Sequence, residues 1–246
     1  MEDAMKLSAL ILLIVFSGTF LMAAEHEEKI QKTFPLTSGG TVDLSNIDGL
    51  IEVVTHPSQT VEVKVVKKSD NADELGQAEV IFDASASGLK ISVENKLKNS
   101  HVKTDFFLAV PENLKTATFR SVNGRVDAQG RFGDIRMETV NGDIDFDGTF
   151  ASSQCSTVNG KVTVVVEKPL VGAFSARSVN GGIRIELDRK SSFLLEGKTV
   201  NGSIGCEFEV PVQKGVVGSS ISGSVNKGQN RVELKTVNGS ITIVKI

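Results

Sequence analysis

An all-β solenoid of about seven coils, preceded by an irregular N-terminal β region, is the fold this sequence predicts, and three observations predict it. The composition is the first: 246 residues contain 23 Gly, 5 Pro and 13 Phe but no Trp or Tyr, and Val-, Ser- and Thr-rich stretches favour short strands joined by tight turns. The second is a tetrapeptide that recurs seven times: Ser121-Val122-Asn123-Gly124, Thr139-Val140-Asn141-Gly142, Thr157-Val158-Asn159-Gly160, Ser178-Val179-Asn180-Gly181, Thr199-Val200-Asn201-Gly202, Ser220-Ile221-Ser222-Gly223 and Thr236-Val237-Asn238-Gly239. From one Asn position to the next the intervals are 18, 18, 21, 21, 21 and 16 residues. The third is that the flanks align into columns. Four residues before the Asn stand Phe119, Met137, Cys155, Ala176, Gly197, Gly218 and Leu234; three after it stand Val126, Ile144, Val162, Ile183, Ile204, Val225 and Ile241.

The positions between these apolar columns, such as Arg125, Asp143, Lys161 and Arg184, are polar. Each copy therefore reads as strand, Asn-Gly bend, strand, with one face in and one out. A unit of this size cannot bury its apolar face alone and must stack on its neighbours about 4.8 Å apart. At that spacing the amides of Asn123, Asn141, Asn159, Asn180, Asn201 and Asn238 can bond one another along the axis, because each carries both donors and an acceptor. The Gly after each Asn is expected to supply a positive φ. Strict alternation aims the Thr/Ser of the tetrapeptide inward and a corner at that point aims the Val inward; the second arrangement is favoured.

Taken from the N-terminus, Leu7 to Met22 is a mostly apolar run preceded by Lys6 and followed by Ala23, Ala24 and the charged stretch from Glu25. It reads as a signal peptide over residues 1–24. The alternative is a retained anchor, for which sixteen residues fall short of the ~20 that span a bilayer. The segment thus implies an exported protein of the periplasm, cell envelope or extracellular space, and not an integral membrane protein once it is cleaved. Its removal leaves 26 basic and 28 acidic residues. These are interspersed, so there is no basic field for nucleic acid.

Residues 25–110 are less regular but continuous with the repeats. Asp48-Gly49 stands in the Asn-Gly position of a first coil, flanked by Val42 to Leu44 and Ile51 to Val53; Val61 to Val65, Val80 to Phe82, Leu89 to Val93 and Phe106 to Val110 read as strands. Lys67 to Gln77 reads as a loop with at most one helical turn. Residues 111–246 hold the repeats. Cys155 and Cys206 fall in core columns two coils apart, about 9.6 Å along the axis, beyond the reach of a disulfide. Both are expected to be buried free thiols.

Gly39-Gly40-Thr41-Val42-Asp43, Asp48-Gly49-Leu50-Ile51-Glu52-Val53, Val110-Pro111-Glu112-Asn113-Leu114 and the reiterated Thr-Val-Asn-Gly together resemble the bacterial putative-adhesin family of β-strand-repeat domains, over about residues 33–246. The resemblance implies a right-handed β-helix of the bacterial envelope with no defined activity and no catalytic residues to carry over. Ser222 and Lys227 depart from the pattern, which puts the regularity of the sixth copy in doubt.

Candidate chemistry is sparse. Asp143, Asp145 and Asp147 alternate along one outward face, with Asp127 expected beside Asp145 on the next rung. Asp127, Asp143 and Asp145 could bind Ca²⁺ or perform acid–base chemistry on a polysaccharide; the same residues also read as a solvated face. His26, His56 and His101 show no metal-ligand spacing, and there is no nucleophile elbow, P-loop or dinucleotide fingerprint. No catalytic residue, metal or cofactor is predicted. Two further expectations concern assembly. Intervals of 21 and 16 residues disfavour a left-handed hexapeptide helix, and the strand Ser240 to Ile246 is expected to be an uncovered final rung, able to pair with an envelope protein or a second copy. The sequence thus reads as an exported, non-enzymatic adhesin-like binding or scaffold solenoid, with a carbohydrate-active β-helix as the alternative.

Overall fold

The computed structural model describes residues 26–96 and 102–246; the apolar segment at 7–22 and His101 lie outside them. The described residues are almost entirely β: β1 (His26–Pro35), β2 (Thr41–Ser45), β3 (Ile51–His56), β4 (Thr60–Ser69), the four-residue helix α1 (Ala72–Leu75), β5 (Ala78–Ser85), β6 (Gly88–Asn95), β7 (Lys103–Pro111), β8 (Thr116–Arg120), β9 (Val126–Asn141), β10 (Ile144–Asn159), β11 (Val162–Val166), β12 (Ala173–Asn180), β13 (Ile183–Leu187), β14 (Phe193–Asn201), β15 (Ile204–Cys206), β16 (Val212–Lys214), β17 (Ser219–Val225), β18 (Asn230–Asn238) and β19 (Ile241–Lys245). Chain segments before each Asn-Gly bend stack in parallel as a first wall, and segments after it stack as a second. The long strands β9 and β10 run through both.

Alternation decides what lies between the walls. Phe119, Met137, Cys155, Ala176 and Leu234 occupy successive rungs of one inward column, each almost wholly buried. Val126, Ile144, Val162, Ile183 and Ile241 do the same on the facing wall. Phe132, Phe146, Phe150 and Phe174 continue as an aromatic series with ring centroids 5.9, 5.5 and 5.9 Å apart, a geometry that adds about 0.5–1.5 kcal/mol per pair to their burial. The Phe residues that an aromatic-poor chain does possess are largely spent on this core.

The stacking order is not the chain order. In the first wall it runs β5, β6, β2, β8, β9, β10, β12, β18, β14, β17, β16; in the second it runs β1, β4, β7, β3, β9, β10, β11, β13, β19, β15. At one end β7 enters between β3 and β4. At the other the β18–β19 coil enters between the coil of Asn180 and the coil of Asn201.

This order corrects several expectations. The strand after Asn238 is not an uncovered rung: Thr242 is paired with Arg184 on one side and Gly205 on the other. The sixth tetrapeptide forms no coil, because Ser220 to Gly223 lie in β17, which runs antiparallel to β14 as a cap; Val216, just before it, is fully exposed. Cys155 and Cys206 are three rungs apart, about 14 Å. Both are free, Cys155 buried and Cys206 only half-buried.

The N-terminal end is closed by antiparallel strands. Lys67, almost fully buried, places its ammonium 2.6 Å from Glu28 Oε2 and donates to the carbonyls of Leu75 and Ala78 at 2.8 and 3.1 Å. It thereby ties β1, β4 and α1 together, and with three acceptors its charge is satisfied. Asn71 caps α1 by accepting from the Asp73 amide, so the loop does contain a single helical turn.

The glycines of the bend answer to a different demand from the one expected. Gly49 has φ +122°, but no other bend glycine lies in the positive range. What they provide is close approach: a Cβ on Gly160 would stand 1.9 Å from the carbonyl oxygen of Gly142, and the same contact recurs from rung to rung. Gly160→Ala should therefore cost at least about 2 kcal/mol, since two rungs must separate, whereas Gly205→Ala, with nothing within 4 Å, should be neutral; urea unfolding of the two variants checks this. Thr242→Pro should lower the unfolding midpoint as a central-strand proline does, an outcome that an edge position would not produce.

Candidate functional site

The corner of each coil presents a regular surface. Asn201 Nδ2 donates to Asn238 Oδ1 (2.7 Å), Asn238 to Asn180 (2.8 Å), Asn180 to Asn159 (2.8 Å), Asn159 to Asn141 (2.7 Å), Asn141 to Asn123 (2.8 Å), and Asn123 to Asp48 Oδ1 (2.7 Å). Every amide points the same way along the axis, so each bond polarises the next. The series ends on Asp48, a carboxylate that accepts and cannot donate.

Beneath this ladder runs a second one. Thr139, Thr157, Ser178, Thr236 and Thr199 point inward and donate to the carbonyls of Gly124, Gly142, Gly160, Gly181 and Gly239 at 2.7–3.0 Å. The Val of each tetrapeptide faces out, about 40% exposed in Val122, Val140, Val158, Val179, Val237 and Val200. The Val-inward reading is thus overturned. Strand geometry persists as far as the Asn, so alternation holds through the tetrapeptide and the turn falls after the Val. The aligned columns of the sequence contain this ridge of valines, but only the position of the turn reveals it.

The acidic residues meet as their register requires. Glu52, Asp127 and Asp145 stack on successive rungs. Arg125 reaches across them, with Nε against Asp127 Oδ1 and 3.1 Å from Asp145 Oδ2. Asp143 adds a weaker attraction to Arg125 and accepts the Lys161 amide at 2.7 Å. Burial is the largest influence on Asp127 and raises its pKa; Arg125 opposes it, while Asp145 and Glu52 reinforce it. The arrangement is a cation-bridged carboxylate column. His26 lies in β1 and His56 at the end of β3, remote from it in register.

The outer face of the first wall carries the feature that sequence reasoning missed. A shallow concavity of about 430 Å³ crosses it, lined by Thr116, Thr118, Arg136, Ser152, Gln154 and Ser175 among others. Thr, Ser and Gln side chains alternate there with the charged Arg120, Asp134, Arg136, Arg231 and Glu233; Ser152 Oγ donates to Asp134 Oδ1 at 2.7 Å. The outward columns one and three residues upstream of Phe119, Met137, Cys155 and Ala176 contain the signal, as small polar residues among charged neighbours.

Asn159→Ala and Asn238→Ala should each cost about 1–2 kcal/mol, because each loses two ladder bonds, and Asn201→Ala about half as much; chemical denaturation of the three variants checks the order. Arg125→Gln should destabilise by up to about 1 kcal/mol at neutral pH, and the loss should fade as pH falls and Asp127, whose pKa burial raises, takes up a proton. Burial pushes the Cys155 thiol up to about 12 and raises Cys206 less, so a thiol reagent should label Cys206 in the folded protein and Cys155 only in denaturant.

Among solved structures, this chain is similar to a protein described as a putative cell adhesion protein from Clostridium sporogenes, at 10% identity and a TM-score of 0.56, covering 90% of this chain and 100% of that one. It also matches a putative adhesin from Bacteroides fragilis at 12% identity and a TM-score of 0.40, covering 88% and 97%, and a putative lipid binding protein from Parabacteroides distasonis at 9% identity and 0.29, covering 89% and 96%. No curated protein matches. The model of the Toastrack family, DUF4097, matches residues 28–244, nearly all of the described structure. With its stacked Asn-Gly rungs and paired walls, the chain belongs to the Toastrack DUF4097 family.

Proposed function

We propose that this protein is an exported, non-enzymatic binding solenoid of the bacterial envelope, and that the outer face of the first wall is its contact surface. The observation that carries the reading is the concavity over Thr118, Gln154 and Ser175, where polar side chains repeat at the rung spacing of about 4.8 Å. Such a surface suits an extended polar ligand better than a compact one, since pockets for small molecules are predominantly apolar and deep. Sugar-stacking Trp and Tyr are missing from the sequence, so recognition would rest on hydrogen bonds from Thr, Ser and Gln and on Arg136.

Export is supported by the Leu7 to Met22 run and the alanines after it. Among the described residues no helix is long and apolar enough to cross a membrane. Seven coils, counted from Asp48 to Asn201 along the amide ladder, wound in a right-handed sense, are the arrangement we favour; parallel strands joined through a second layer adopt that hand in nearly all known cases. The similarity in fold to a protein described as a putative cell adhesion protein accords with a binding role.

One observation favours a second reading. Asp127 and Asp145 lie side by side, with burial raising the pKa of Asp127, and a carboxyl raised in this way can serve as a general acid. The two readings separate experimentally. Binding of the purified protein to envelope glycans and intact cells should fall at least about tenfold, or ~1.4 kcal/mol, in Thr118→Glu with Ser175→Glu, and not in Thr163→Glu on the second wall. Glycan hydrolysis that is lost in Asp145→Asn with the fold intact would instead establish the enzyme.

A further inference from the structure

The two ends of the stack are finished differently. At the C-terminal end the exposed edges are β15 and β16, three residues each, the length at which an edge offers little to another strand. At the N-terminal end β1 is ten residues long and, among the described residues, is paired only with β4. The core at that end is incompletely covered: Ile30, Phe34, Val80 and Phe82 are packed against it but only partly buried, with Phe34 and Phe82 stacked at 5.5 Å.

The backbone of β1 shows which groups face outward. Leu36 N donates to Gln59 O, the residue opposite it in the register that runs from His26 with Ser69 to Pro35 with Thr60. In an antiparallel ladder hydrogen-bonded positions alternate, so the even residues of β1 bond to β4. Glu27, Lys29, Gln31 and Thr33 then turn their N–H and C=O groups to the open edge. Pro35, which has no N–H, also falls on the outward set, as edge prolines do.

We propose that this edge pairs with β1 of a second copy of the chain, antiparallel and centred on Ile30. In that register the outward groups of Glu27 meet those of Thr33 and those of Lys29 meet those of Gln31. On the inward face Glu28 lies opposite Lys32 of the second copy, Lys32 opposite its Glu28, and Ile30 opposite Ile30. Opposite charges face each other twice, in the positions where side chains approach most closely. Moving the centre to Lys29 opposes two ammonium groups. Moving it to Gln31 requires an N–H of Pro35 and sets Ile30 against Lys32. The even side chains of both copies lie on one face, so the partly covered Ile30, Phe34 and Phe82 of each would shield those of the other. Lys32 already projects inward, 4.3 Å above the Phe82 ring, and Glu28 stands half-exposed, in contact with Lys67 through Oε2. This pairing goes beyond any ligand of the outer face and needs none.

Sedimentation velocity from low micromolar to several hundred micromolar, on the protein as processed by an exporting cell, tests the pairing without ligand. The expected result is a monomer–dimer equilibrium, weakened about tenfold or more in Gln31→Pro, whose missing N–H points away from β4, and likewise in Lys32→Glu, which sets two carboxylates opposite each other. Circular dichroism should stay unchanged in both. In a Cys206→Ser background, Ile30→Cys should oxidise to a covalent dimer, because the facing Cα atoms fall within disulfide range. A monomer at every concentration, a dimer that tolerates both Gln31→Pro and Lys32→Glu, or a dimer that Ile30→Cys does not link would overturn the proposal.

Discussion

The distance between one bend and the next governs this molecule. Parallel rungs can sit about 4.8 Å apart only if nothing projects from the inner corner, and a Cβ on any of Gly124, Gly142, Gly160, Gly181, Gly239 or Gly202 would lie within about 2 Å of the carbonyl oxygen of the preceding bend glycine. With the glycines in place, the residues beside them fall into register. From Thr139 onward the hydroxyl of the Thr or Ser two positions before Asn then reaches the preceding glycine carbonyl, and the Asn amide reaches the preceding Asn. The bend is held from inside by one ladder and from outside by the other.

Neither ladder is strong bond by bond, since an exposed amide exchanges its partner for water at a cost of about 1 kcal/mol. Their value lies in phase. A slip of one residue would turn the apolar columns outward and would also misalign every amide and hydroxyl, so hydrophobic and polar patterns select the same register. The charged residues on the outer faces follow that register and do not set it: Arg120 with Asp43 and Glu138, Arg177 with Glu233, and Arg231 with Glu196 are cross-strand pairs of partly exposed side chains, each worth little alone.

Periodicity made the core columns, the strand pairs and the amide ladder legible in the sequence, because each depends on spacing to a single reference residue. Three things resisted. The inward turn of Thr and outward turn of Val hinge on where the strand ends, and β9, β10 and β12 continue to the Asn itself. The order of coils resisted because Asn238 and Asn201 present closely similar flanks, and nothing local says which lies next to Asn180. The polar concavity of the first wall resisted because it is assembled across rungs from Thr118, Gln154 and Ser175, which are ordinary one at a time. Ser222 and Lys227, by contrast, did mark the copy that became a cap.

The interleaved coil at the C-terminal end has a temporal meaning. Residues 193–206 emerge from synthesis or from a translocation pore before residues 230–245, yet they occupy the rung beyond them, with β18 and β19 lying between β12 and β13 on one side and β14 and β15 on the other. A solenoid threaded in simple order could zip up rung by rung as it appeared. This one must hold a finished coil and its cap, which ends at Val225, in waiting until residues 226–245 arrive, so its assembly is completed by an intercalation, and a partly emerged chain has no complete stack to fold into.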